Sequence, residues 1–181
     1  MPEDQFTITG YSTALFSTWY FVDELALLFD CGDGVCAGLL QKSRKIRHVF
    51  VSHADRDHVA GLVQFSQLNS RPGLKIYYPK DSASFLHLEE FTRKFDPHVS
   101  GAQWVPIADG DEIAIRNDLV VRAMENRHVV TVDGQIKSLS FSWTTVPGNC
   151  VPSFLVKVVV RLPKCEKILA KKRLRLSLAP T

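Results

Sequence analysis

Histidine is scarce in this chain: six in 181 residues, at 48, 53, 58, 87, 98 and 128. Cysteine is scarcer. The four, at 31, 36, 150 and 165, are too few and too scattered for a disulfide framework. Cys31 and Cys36 flank four residues in DCGDGVC, with no second cysteine or histidine pair at zinc-knuckle spacing, so they read as small, half-buried residues at a turn. The N-terminal MPEDQF is acidic and carries no basic region of the secretory type. The apolar run ALFSTWYFV is too short to span a bilayer and is closed by Asp23 and Glu24. With 45% hydrophobic and 23% charged residues, the expectation is a soluble, cytoplasmic, globular protein without a membrane partner, long enough for one domain with a substantial core.

Acidic residues run out towards the C-terminus. Residues 1–150 hold 14 Lys and Arg against 18 Asp and Glu, a net of −4. Residues 151–181 hold eight against a single Glu, a net of +7. The composition shifts near residue 143 and divides the chain into a domain over 1–143 and a basic tail over 144–181. A reading frame lost at that point would produce such a tail. Phe154, Leu155, Val158 and Val160 would then pack poorly. A native arm that binds polyanions is the other reading.

The body of the chain alternates strand and helix signals. FTITG (6–10), ALFSTWYFV (14–22) and LALLF (25–29) read as strands, the third covered on both faces. DCGDG makes a tight loop, a short helix covers 35–42, and IRHVFVS (46–52) is a second buried strand. From Val59 the period changes: Val59, Leu62, Val63, Phe65 and Leu68 approximate one helix face, which RPG at 71–73 stops. LKIYYP is a strand. A helix follows with Asp81 or Ser82 as N-cap and Phe85, Leu88, Phe91 and Phe95 near helical spacing. AQWVPI, DEIAI, LVVRAME and SLSFSW close the series as strands. This order predicts a layered α/β (α+β) fold.

Against so few histidines, VFVSHADRDHVAGL (49–62) stands out. Two histidines and two aspartates crowd into positions 53–58, directly after a buried strand. A strand running into a short loop converges ligands without ordering a long segment. Alternation lets His53, Asp55 and Asp57 share one side while His58 starts the helix. Imidazole nitrogen and carboxylate oxygen suit Zn²⁺, Mn²⁺ or iron. His48, His87 and His98 each stand alone and read as ordinary surface or packing residues.

Two motifs together carry a resemblance. Asp30-Cys31-Gly32-Asp33-Gly34 ends an apolar strand. About twenty residues later come His53-Ala54-Asp55-Arg56-Asp57-His58, then Gly61 and Leu62. In this order the pair resembles the metallo-β-lactamase fold, and within it the ribonuclease Z branch that processes tRNA 3′ ends. The resemblance implies an αββα sandwich. It also implies that His53 and residue 55 bind a first divalent metal, and that Asp57 and His58 bind a second. Asp57 would also handle the proton of the attacking water, and Asp30 would orient a ligand histidine by hydrogen bond. A downstream histidine completes the first site in that family; here it is assigned to His128, in ENRHVV after a strand. Zinc is the metal implied first, and the resemblance allows an RNA, a tRNA precursor, as partner and a homodimer as assembly.

The sequence departs from that pattern twice. Position 55 is Asp where the family usually has His; the carboxylate is the harder ligand and favours Mn²⁺ or iron. The later bridging aspartate and last histidine have no counterpart: Asp133 is too close to His128, and no histidine follows 128. The expectation is therefore the N-terminal half of the sandwich, with an incomplete second half and a missing second sheet. Its function is that of a metal-dependent, ribonuclease Z-like phosphodiesterase of doubtful activity. The rival readings are a non-catalytic metal- or nucleic-acid-binding relative, and a hydrolase of a small ester or thioester on the same fold.

Overall fold

Buried apolar strands that alternate with short helices need cover on both faces, and the computed structural model shows how this chain supplies it. The structure describes residues 6–96, 100–132, 134–145, 158–159 and 170–174. Strands β1 (Phe6–Thr13), β2 (Ser17–Val22) and β3 (Leu27–Phe29) run antiparallel. From β3 the sheet continues in parallel through β4 (His48–Phe50), β5 (Lys75–Pro79) and β6 (Gln103–Ile107). Helix α1 (Val35–Leu39), α2 (Arg56–Val59), α3 (Leu62–Asn69) and α4 (Ser84–Phe95) fill the crossovers.

One face of this sheet packs against the helices. Val35, Leu39, Leu62, Phe65 and Phe85 meet Phe21, Leu28, Val49, Val51 and Ile76 there. In α3 the buried face is Leu62, Phe65, Ser66 and Asn69, while Leu68 points to solvent. Polar Asn69 belongs inside because its amide donates to the Phe65 carbonyl at 3.0 Å. Helix α4 begins one or two residues later than its sequence suggests, with Ala83 rather than Asp81 or Ser82 at the N-cap. Its Phe85 is fully buried, whereas Phe91 and Phe95 are exposed and stack on one another with centroids 5.4 Å apart. Cys31 and Cys36 are free thiols, buried rather than half-buried.

The other face meets a second sheet, which the sequence reading expected to be missing. It is built from β7 (Glu112–Arg116), β8 (Leu119–Glu125), β9 (Leu139–Thr145) and β10 (Val158–Val159), in the order β10-β9-β8-β7. Between the sheets Leu27, Phe29, Phe50 and Tyr77 interleave with Leu119, Val121, Phe141 and Trp143. The Phe29 ring stacks on Trp143 at 5.5 Å and on Phe50 at 5.6 Å. Burying such rings is worth about 1.5–3 kcal/mol each, so the apolar face feared to be bare is a main source of cohesion. The strand segments DEIAI, LVVRAME and SLSFSW form β7, β8 and β9 of that second sheet.

The boundary expected at 143/144 falls inside β9. Past it, β10 pairs with β9, and β11 (Ala170–Leu174) pairs antiparallel with β1, Phe6 opposite Leu174. Phe154, Leu155, Val160, Cys150, Cys165, His98 and Asp133 lie outside the described residues. Among the described residues, no helix is long and apolar enough to cross a membrane.

Candidate metal centre

The site forms where two loops at the ends of parallel neighbours β3 and β4 lock together. Gly32 and Gly61 make this possible. A Cβ on Gly61 would lie 2.2 Å from the Gly32 carbonyl oxygen, and one on Gly32 would lie 2.3 Å from that of Asp57. No side chain fits either gap. The contact is sealed by the main chain: Cys31 N–H donates to the His58 carbonyl and Gly61 N–H to the Cys31 carbonyl, both at 2.8 Å. The two motifs therefore occur together because each is the other's packing surface.

Asp30 takes a left-handed conformation, φ 56°, which a short polar side chain tolerates better than most. That turn aims a buried carboxylate back across the strand ends. Its Oδ1 accepts the Ser52 N–H and the Ser52 hydroxyl, each at 2.8 Å. Its Oδ2 lies 2.9 Å from His58 Nδ1. The Ser52 hydroxyl oxygen is also 2.8 Å from His53 Nδ1.

This network assigns the tautomers. Ser52 has one hydroxyl hydrogen and gives it to Asp30, so its oxygen accepts the N–H of His53 Nδ1. His58 likewise donates from Nδ1 to Asp30. In both rings Nε2 is then the atom left to act elsewhere. His53 Nε2 is buried with no hydrogen-bond partner. The rings lie against one another with centroids 4.0 Å apart.

Electrostatics separates the pair. Burial, and next the neighbouring His58, push His53 down to about 4. Burial alone would lower His58 as well. The hydrogen bond and charge of Asp30, aided by Asp57 and Asp55, outweigh it and hold His58 above its ordinary value. His53 is thus a neutral imidazole at neutral pH with an unshared pair facing the cluster.

Asp55 sits at the N-cap of α2 and its carboxylate reaches within 3.4 Å of His53 Nε2. His128 arrives from the β8–β9 connection, its ring centroid 4.8 Å from that of His53. One ligand atom each from His53, Asp55 and His128 lie within 4.8 Å of one another. An orphaned buried imidazole nitrogen, a carboxylate and a second imidazole fit one divalent cation, with imidazole and carboxylate the donors that zinc, manganese and iron accept.

Asp57 does not join them. Strand alternation stops at Asp55 because α2 begins at Arg56 and not at His58, so Asp57 turns instead towards His58, with 3.4 Å between Oδ2 and Nε2. Among the described residues those two are the donors left for a second ion. The sequence reading did not single out Ser52, Asn126 or Ser138. The signal for Ser52 was a hydroxyl at a strand end, directly before His53, in an otherwise apolar run.

The fold and the site place the chain in a family. The Beta-lactamase superfamily domain matches residues 26–149, more than half of the chain, which therefore belongs to that superfamily and has the metallo-β-lactamase fold. Among curated relatives, the chloroplastic tRNase Z TRZ2 of Arabidopsis thaliana is 28% identical over 137 residues, 74% of this chain and 37% of that protein. The nuclear ribonuclease Z of Triticum aestivum is 29% identical over 159 residues, 80% of this chain and 84% of that protein. The crystal structure of human tRNase Z, short form, superposes with a TM-score of 0.55 at 21% identity, over 77% of this chain and 64% of that one, a likeness of fold. The chain spans little more than a third of the Arabidopsis relative's length.

Proposed function

We propose that His53, Asp55 and His128 hold one divalent metal ion, zinc first and manganese or iron next, and that the site serves phosphodiester hydrolysis of the ribonuclease Z kind, on tRNA 3′ ends. The single observation that carries this reading is the buried, partnerless Nε2 of His53 facing a carboxylate and a second imidazole. The names of the curated relatives support the substrate class.

A divalent ion bound there supplies a Lewis acid that activates water and offsets charge on phosphate. The chain's own residues do the rest. Asp57, partly accessible beside His58, takes the proton of the attacking water. Asp30 and Ser52 keep both imidazole Nδ1 atoms occupied, so only Nε2 faces the site. Asp55 adds negative charge where an imidazole would add none, which shifts preference towards harder ions.

Asp57 and His58 are two donors where a tightly held second ion needs more, which favours a one-ion site with weak turnover. Each missing charge-stabilising group costs on the order of 10²–10³ in rate. The test is cleavage of a 3′-extended tRNA beside a generic phosphodiester and a small thioester, with purified chain and Asp57→Ala. Metal-dependent cleavage of the tRNA, lost in Asp57→Ala, is the expected result. Preferred thioester hydrolysis would move the substrate class. Metal binding with no turnover on any of the three would make the chain a binding relative.

A further inference from the structure

His128 is the weakest-held member of the proposed metal set. Its side chain is exposed, and no hydrogen bond to its ring is present among the described residues. Its position therefore depends on the backbone of the β8–β9 connection, residues 126–138. Two polar side chains close the neck of that loop. Glu125 pairs with Leu139 at the last rung of the β8–β9 ladder, and Asn126 faces Ser138 one step beyond.

Their hydrogen bonds converge on the segment that carries His128. Asn126 Oδ1 accepts the His128 N–H at 3.0 Å. The Ser138 hydroxyl accepts the Val129 N–H at 3.0 Å and donates towards Asn126, with its carbonyl oxygen at 2.8 Å and Oδ1 at 2.7 Å. Asn126 Nδ2 donates in turn to the Ser140 hydroxyl at 3.0 Å, and Asn126 N–H to the Ser138 carbonyl at 3.1 Å. The residues on both sides of the His128 Cα are thus gripped by one Asn–Ser pair. Ser138 is 1% exposed, so water is a poor substitute for its hydroxyl.

A further bond joins this neck to the other ligand loop. Leu139 N–H donates to the Ser52 carbonyl at 2.8 Å. Ser52 is the residue that holds His53 Nδ1 and Asp30. Asp30, Ser52 and the Leu139 backbone are thus linked by hydrogen bonds from the first sheet to the second, and the adjoining residue Ser138 carries the contact on to Asn126 and the segment of His128.

We propose that Asn126 and Ser138 are positioning residues: their clasp on the neck of the β8–β9 loop holds His128 in ligand range of His53 and Asp55. This rests on the metal-site reading above. The ligands from the His53 loop are fixed by a strand end; the third ligand, on an exposed loop, is fixed by the clasp. Removing it leaves the donors present and the His128 backbone held only through the loop's own rungs, the Lys137 N–H to Val129 carbonyl bond at 2.9 Å and the Val130–Ile136 bridge, so metal affinity falls although no ligand is lost. Outer partners of metal ligands typically matter by 10–100-fold in affinity.

A double-mutant cycle on metal affinity decides this. Zn²⁺ and Mn²⁺ dissociation constants would be measured by competition with a chromophoric chelator for wild type, Ser138→Ala, Asn126→Ala, His128→Ala and the double variant Ser138→Ala/His128→Ala. Circular dichroism of each metal-free chain monitors folding. The expected result is a loss of roughly 10–100-fold for Ser138→Ala and for Asn126→Ala, with no further loss when Ser138→Ala is added to His128→Ala. Asn126→Asp, which keeps the oxygen that receives the His128 N–H, should restore most of the affinity and covers the case in which Asn126→Ala fails to fold. Losses that add in the double variant, or a Ser138→Ala affinity equal to wild type while His128→Ala is weakened, would overturn the clasp and leave the metal site standing. An unchanged affinity in His128→Ala would remove His128 from the site and the clasp's role with it.

Discussion

The two halves of the candidate site are built in opposite ways. Asp30, Ser52, His53 and His58 are buried, and their mutual hydrogen bonds leave only the two Nε2 atoms to face the cluster. Asp55 and His128 are exposed, and each is placed by its backbone. The buried half is finished before any ion arrives, because strand ends and a glycine–glycine contact fix it. The exposed half converges on it from a helix N-cap and a loop. In the proposed site the buried His53 sets where the metal goes, and the exposed Asp55 and His128 set which metal and how tightly.

The strongest way to break this contrast is Asp30→Ala. It strips one carboxylate from two hydroxyl and backbone donors and from His58, all buried, and breaking such a pair costs about 3–5 kcal/mol. Metal affinity should fall with it, since both histidine tautomers are released. Urea unfolding of the metal-free chain checks the first effect. A midpoint equal to wild type would show that the buried half is not pre-built by Asp30.

A smaller effect is expected on the exposed half. Asp55→His should leave metal-free stability within about 0.5 kcal/mol, as surface changes do. It should instead move relative affinity from Mn²⁺ towards Zn²⁺ by replacing a charged oxygen with a neutral nitrogen. A competition titration with both ions measures this. An unchanged Zn²⁺/Mn²⁺ ratio would mean that Asp55 is not a ligand.

The smallest effect comes from a histidine outside the site and sharpens the comparison. Burial, then Lys75 and Arg47, push His48 down to about 4. The unfolded chain binds that proton nearer the ordinary histidine value of 6.5, so between 6.5 and 4 the unfolded state holds more protons. His48 therefore contributes stability above about 6.5 that is lost as pH falls towards 4. His53 acts with the same sign over the same window, while His58, raised, acts oppositely and loses its contribution as pH rises through its folded value. His48→Gln should flatten the acid-side fall of the melting temperature by a few degrees. An identical fall in wild type and variant would assign the acid sensitivity to the cluster alone.

In the buried half the two histidines stood out in the sequence and Ser52 did not; the exposed half was only partly legible. Strand alternation and turn residues are local, so β2 to β9 could be placed from their own residues, and HADRDH announced itself by crowding. Alternation misled at Asp57, because a helix beginning at Arg56 redirects the chain, and that start depends on how Gly61 meets Gly32 across 29 positions of sequence. His128 came from the resemblance, since nothing near it in sequence marks a ligand. The second sheet was underestimated for a different reason. Its strands were recognised one by one, but that they cover Phe29 and Phe50 is a tertiary fact with no local signature. Asn126 and Ser138 look like any polar residues flanking a loop, and only their register across β8 and β9 reveals the clasp.

The central claim is that His53, Asp55 and His128 form one metal site and that Asp57 with His58 do not form a second of equal strength. Elemental analysis of chain purified without chelator, for wild type and for His53→Ala, tests it most directly. The account predicts about one tightly held divalent ion per wild-type chain, consistent with three protein ligands and an open position, and almost none in His53→Ala. Two tightly held ions per wild-type chain, or a full ion retained in His53→Ala, would contradict it.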